Sequence, residues 1–204
     1  KIEEINIGEY YGLILFATVG MMFMSSATDL LTIYISLELM SFSFYILTAF
    51  MNRDIRSREA GIKYFLTGAF TSGLILYGIA FLYGLTGATD LGSISAYVSQ
   101  HSLNSSPMLF VAIVLLVAGF GFKIAVVPFH MWAPDVYEGA PTTVTAFLSA
   151  GSKIAAFSAM LRIFMVGLGS SYDSWWPLLW LLSILTMTLG NITALVQTNI
   201  KRIM

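Results

Sequence analysis

Three ionisable residues, Glu38, Lys123 and Lys153, lie deep inside apolar stretches of the sequence. A charged side chain at the centre of a membrane helix costs on the order of 2.5–3.5 kcal/mol, so such residues face a bundle interior and mark ion or proton paths. One acid and two amines can each take up and release a proton, and proton relay within the bilayer is the expected chemistry. For any single charge the alternative is a structural ion pair that fixes helix packing. Three together, in the surroundings that follow, weigh against it.

Glu38 has Tyr34, Ser41 and Tyr45 at offsets −4, +3 and +7. A helix would bring all four to one face, a polar stripe suited to a hydrated seam between helices. Lys123 precedes Pro128, which lacks an amide hydrogen and clashes with the carbonyl four residues back, at Ile124. With Gly119 and Gly121 nearby, the pattern predicts a broken or loosened helix whose freed carbonyls could hold water or a cation, as in transporter sites. An ordinary proline kink is the plainer reading. His130 lies two residues beyond Pro128, and an imidazole there suits either a relay or a simple hydrogen-bonded histidine.

Asp135 and Glu138, between Pro134 and Pro141, are expected at the interface, with Pro141 opening the next helix. Lys153 follows Thr142, Thr145 and Ser149 at −11, −8 and −4, one polar face whose hydroxyls could support a water chain. The competing possibility is that these hydroxyls merely bond backbone carbonyls. At about 4 Å and an effective dielectric of about 20, an ion pair is worth roughly 4 kcal/mol. That is about a thousandfold in proton affinity. The expected mechanism is that Glu38 holds the proton on Lys123, and separation of the pair releases it toward Lys153.

The elements that must position these charges follow from composition. Hydrophobic residues make up 57% of the 204 and charged residues 10%, against roughly 45–50% and about 25% in soluble domains. The net charge of −1 gives no reason to expect nucleic-acid binding, and the absence of cysteine excludes disulfides and thiolate metal sites. Six apolar segments, at about 10–28, 30–51, 60–85, 108–128, 141–164 and 176–196, are long enough to cross a core about 30 Å thick. Strand alternation is missing, so the expected fold is an all-α polytopic membrane protein.

Lys1, the Arg53–Lys63 cluster and Lys201–Arg202 fall on one side, assigned as cytoplasmic, and Arg162 is the discordant charge that must snorkel. The segment NRDIRSREAGIK is expected as a surface turn or topological anchor, and 87–107 as a simple connection. No signal peptide is visible, and the start at Lys1 and the stop after one basic pair suggest a piece of something longer.

The stretch GFGFKIAVVPFHMWAPDVYEGAPTTVTAFLSAGSK, with DLLTIYISLELMSFSFYIL, REAGIKYFLTGAFTSG and GNITALVQTNIKRIM, resembles the antiporter-like membrane subunits of bacterial NADH:quinone oxidoreductase, respiratory complex I. The Ser-Lys ending of SAGSK favours the subunit N type, counterpart of mitochondrial NADH dehydrogenase subunit 2, over the L and M types and multisubunit cation/proton antiporters. The resemblance implies that Glu38 is the family's intramembrane glutamate, Lys123 its broken-helix lysine, Lys153 its central lysine and His130 the histidine after the break. Thr143 stands where the family often has a second proline. The family fold is a pair of inverted five-helix repeats. Residues 1–166 would then be the first repeat and 167–204 the first helix of the second.

The implied function is proton translocation by a non-redox subunit of a translocase in an energy-coupling membrane, such as a bacterial inner membrane. No nucleotide-binding glycine fingerprint or iron–sulfur cysteine set occurs, so no cofactor is expected in this chain. NADH and quinone would be bound by other subunits. The expected partners are other membrane-arm subunits, neighbouring antiporter-like subunits among them, together with the lipid bilayer and protons. A sodium/proton antiporter and a scaffold whose charges serve assembly remain the competing functions.

Overall fold

The computed structural model describes residues 7–51, 53–101 and 106–203. Lys1 therefore lies outside the described residues. The chain is helical: α1 (Ile7–Ser26), α2 (Leu30–Thr48), α3 (Ile55–Thr86), α4 (Leu91–Gln100), α5 (Pro107–Ile124), α6 (Ala133–Gly139), α7 (Thr142–Leu161), α8 (Tyr172–Val196) and α9 (Ile200–Ile203). A π-helical turn, Arg162–Gly167, extends α7. Among the described residues no strand forms.

Five helical stretches, Leu30–Thr48, Ile55–Thr86, Pro107–Ile124, Thr142–Gly167 and Gly169–Val196, are long and apolar enough to cross a membrane. The first of the six expected segments forms as the 20-residue α1, long enough for a bilayer but not among these five. Helix α1 packs along α2, and α3 along α5. A Cβ on Gly119 would strike the Ile75 side chain and sit 3.2 Å from the Thr71 carbonyl, and one on Gly78 would lie 3.2 Å from that of Ala112. Small residues at these points let α3 and α5 approach closely.

Helix boundaries follow local chemistry. Asp29 caps α2, its Oδ1 accepting from the amides of Leu31 at 2.9 Å and Thr32 at 3.1 Å. Asp54 caps α3 by accepting from the Arg56 amide at 2.9 Å. The segment expected as a surface turn is therefore the start of α3 from Ile55 onward. At 32 residues this helix exceeds a bilayer's thickness, so its charged first turns project past the apolar core. Ser106 and Pro107 open α5.

The connection after α3 is more than a loop. Asp90 caps α4 through the Ser93 amide at 2.9 Å, and Leu91, Ile94 and Val98 are buried at helical spacing. Paired amides and carbonyls tie the entrances of α2 and α4 together: Leu30 N to Thr89 O and Leu91 N to Thr28 O, each 2.9 Å. Arg162 joins this end of the bundle, donating to the Ala27 carbonyl at 3.4 Å. The discordant charge is thus spent on a helix C-terminus, where a cation is favourable.

Candidate functional site

The break after Lys123 forms, although by a different device from the one its glycines suggested. Gly119 and Gly121 lie within intact helix, and α5 stops at Ile124. Ala125 takes the left-handed conformation, φ 59°. Its amide donates to the Phe122 carbonyl at 3.0 Å, and the Val126 amide donates to Gly121 at 2.9 Å, closing the helix with a Schellman pattern. The indole of Trp132 also donates to the Phe122 carbonyl, at 3.0 Å. The carbonyls of Gly121 and Phe122 at the break thus accept from the chain's own donors. On the other side of the break the Val127 amide donates to Thr186 Oγ1 on α8 at 3.1 Å.

Lys123 sits in the last turn of α5, 3% exposed. The helix's partly negative C-terminal end favours an ammonium there. Its Nζ donates to Ser41 Oγ at 2.7 Å and to Tyr45 OH at 3.5 Å. Both belong to the polar face expected around Glu38, which the Lys123 side chain reaches from α5. Ser41 in turn donates to the Leu37 carbonyl at 2.6 Å. The hydroxyl's one hydrogen is committed there, leaving its lone pairs to accept from the lysine.

Glu38, on the same face of α2, turns toward α3. Ser72 donates to its Oε1 at 2.5 Å. Tyr34 OH lies 3.0 Å from Ser72 Oγ, and since the serine's hydrogen goes to the carboxylate, the tyrosine is the donor. No direct ion pair joins Glu38 to Lys123 among the described residues. They interact electrostatically, as do Lys123 and Lys153. Sequence reasoning missed Ser72, whose only signal was a Thr-Ser-Gly triplet, 71–73, in a long apolar helix.

Lys153 departs from expectation. Its buried Nζ has no hydrogen-bond partner. Thr145 donates to the Tyr137 carbonyl at 2.9 Å, and Ser149 to Ala146 at 3.0 Å. Both hydroxyls donate to backbone carbonyls, the competing possibility the sequence left open. Pro141 has no amide hydrogen to offer the Tyr137 carbonyl four residues back, and the Thr145 hydroxyl supplies one. The ammonium lies instead 4.6 Å from the ring centroid of Trp132 and 5.4 Å from that of Tyr137. His130 Nδ1 is likewise buried without a partner, and its ring bonds none of the three charges.

Asp135 and Glu138 fall at the basic end of the bundle, as expected. Asp135 pairs with Lys63 at 2.9 Å and Arg202 at 3.1 Å, and Glu138 pairs with Arg202 at 2.6 Å. With Arg56 and Glu59 these residues line a cavity of about 290 Å³. The Lys63 ammonium holds the Asp135 carboxyl below its ordinary range, against partial burial, and Arg202 adds to the effect. Arg202 does the same for Glu138. The start of α3, the α6 turn and α9 are therefore locked together, which places the Arg56–Lys63 and Lys201–Arg202 charges on one side of the bundle.

Comparison with known proteins agrees with this arrangement. Residues 27–204 match the family model described as NADH:quinone oxidoreductase/Mrp antiporter, transmembrane. NADH-quinone oxidoreductase subunit N of Trichlorobacter lovleyi is 55% identical over 202 residues, covering 99% of this chain and 42% of that protein. The chain thus spans under half the length of that relative. A chain of respiratory complex I from Thermus thermophilus superposes with a TM-score of 0.79 at 38% identity, covering 96% of this chain and 41% of the other. One from the Mrp complex of Dietzia sp. gives 0.78 at 25% identity, covering 91% and 34%. With its broken α5, its buried lysines and a match over most of its length, this chain belongs to the NADH:quinone oxidoreductase/Mrp antiporter family of multi-pass membrane subunits.

Proposed function

We propose that the chain translocates protons as a non-redox, subunit N-type component of a membrane-bound NADH:quinone oxidoreductase, driven by electron transfer in other subunits. The observation that carries this reading is the buried Lys123 ammonium, held at a helix break by hydroxyls from the helix that bears Glu38. Ser41 and Glu38 are one turn apart on α2. A shift of α2 against α5 therefore moves the lysine's hydrogen-bond partner and its counter-charge together. With both in place the amine keeps its proton. With both withdrawn it gives the proton up toward Lys153, and the electrostatic coupling between the lysines disfavours charging both at once. In this reading His130, beside the break, serves as an auxiliary relay.

In this reading residues 1–166 form the first repeat and 167–204 open a second, no cofactor is bound by this chain, and NADH and quinone belong to its partners. Those partners are other membrane-arm subunits, including neighbouring antiporter-like ones. The Arg53–Lys63 side faces the cytoplasm of a bacterial inner membrane. The test is proton pumping by the intact complex in vesicles carrying Glu38→Gln, Lys123→Ala or Lys153→Ala. Each should lose most pumping while the complex still assembles, and full pumping in all three would sink the proposal. A sodium/proton antiporter is the second reading, favoured by the likeness to the Mrp complex. It requires sodium-dependent proton movement in the same vesicles.

A further inference from the structure

The Lys153 ammonium presents an unsolved physical problem. A buried cation without a hydrogen-bond acceptor is strongly disfavoured, yet its Nζ has none. What it has is the face of an indole, at 4.6 Å. Trp132 is 6% exposed and held rigidly: its Nε1 donates to the Phe122 carbonyl at 3.0 Å, and its ring stacks on Tyr64 at 4.7 Å and 10° and on Phe122 at 5.1 Å and 29°. Tyr64 in turn meets Tyr45 edge-on at 4.8 Å. Lys123 Nζ lies 5.7 Å from the Tyr45 ring and 6.0 Å from that of Phe122. A continuous layer of four rings, from α2, α3, α5 and the turn after the break, thus runs between the two amines. Core packing explains a buried tryptophan, but it does not explain why a cation without an acceptor is aimed at its face.

Resting on the proton-relay reading above, we propose that Trp132 is the positioning residue for Lys153. Its π face supplies the attraction that an acceptor would otherwise provide and holds the amine against the aromatic layer facing Lys123. Because the indole is anchored to the carbonyl of the residue before Lys123, movement at the α5 break is transmitted directly to the place where Lys153 rests. Trp132 touches no transferred proton. It sets where the Lys153 amine comes to rest once it carries the proton.

The test uses the intact complex in vesicles, with Trp132 replaced by mono-, di- and trifluorinated tryptophan, alongside Trp132→Phe, Trp132→Leu and Lys153→Ala. Fluorine drains the ring face of electron density while leaving shape and the indole N–H in place. Pumping should fall stepwise with fluorine count, totalling about tenfold, the equivalent of about 1.4 kcal/mol. Trp132→Phe, which keeps a π face, should pump faster than Trp132→Leu. If Trp132→Leu fails to assemble, the fluorine series decides alone. A flat fluorine series beside a non-pumping Lys153→Ala overturns the role of Trp132 and leaves the relay standing. Full pumping by Lys153→Ala overturns the relay itself, and with it this inference.

Discussion

Ser41→Ala isolates the contact on which the handling of Lys123 depends. The Ser41 hydroxyl, fully buried, accepts from the lysine at 2.7 Å. The amine's other polar contact, Tyr45 OH, is at 3.5 Å, the outer limit of a hydrogen bond. A hydrogen bond to a charged group contributes about 1.5–3 kcal/mol, roughly a ten- to hundredfold change in the population of the protonated amine. Backbone consequences are small, because the bond that Ser41 donates to the Leu37 carbonyl duplicates an acceptor already in the helix ladder. Proton pumping by vesicles of the intact complex should therefore fall about tenfold or more, with assembly unchanged. Ser43→Ala is the control, since that buried hydroxyl donates to the Leu39 carbonyl at 2.8 Å and touches no charge. Equal pumping by Ser41→Ala and the unaltered complex would refute the reasoning, as would an equal loss from Ser43→Ala.

Ser72→Ala should also impair pumping, by removing the donor to Glu38 Oε1 while leaving Lys123 and Ser41 in place, and combining it with Glu38→Gln should add little further loss. Ala125→Gly should raise thermal stability by about 1 kcal/mol, because an L side chain at φ 59° is strained by about 1–2 kcal/mol, and Ala125→Val should lower it. Gly119→Ala should destabilise by about 1–3 kcal/mol through the clash with Ile75 on α3. Gly190→Ala, which meets nothing within 4 Å, should be tolerated under the same thermal assay. The Asp135 and Glu138 pairs stabilise the fold above the ordinary carboxylate range, because both folded-state pKa values are lowered. Their contribution is lost as the pH falls through those lowered values. Being partly exposed, each pair is worth at most about 1 kcal/mol; Arg202→Ala should remove the Glu138 share of that pH dependence from thermal unfolding, while Asp135, still held by Lys63, keeps most of its own.

The membrane segments were legible because apolar length is a direct consequence of bilayer thickness, and Glu38, Lys123 and Lys153 stood out because lipid penalises charge. The Glu38 face was legible too: helical periodicity alone brings Tyr34, Ser41 and Tyr45 to one side, and Ser41 and Tyr45 meet Lys123 there. Helix α4 escaped notice because ten residues with three serines carry little apolar signal, although Asp90 before Leu91, Ile94 and Val98 was a cap followed by a buried stripe. The end of α5 depends on one residue, Ala125, adopting a conformation that its type does not favour, which no propensity reveals. Ser72 and Trp132 needed the third dimension. Each acts on a charge from a different segment, and the hydroxyls near Lys153 turned out to face their own backbone.

In the proposed function Lys123 carries a proton whose release moves charge across the membrane. The most direct measurement is the number of protons pumped per electron by the intact NADH:quinone oxidoreductase in vesicles, comparing the unaltered chain with Lys123→Met, which keeps length and apolar stem but cannot bind a proton. A lowered ratio in an assembled complex that still oxidises NADH is the predicted result. An unchanged ratio would contradict the account.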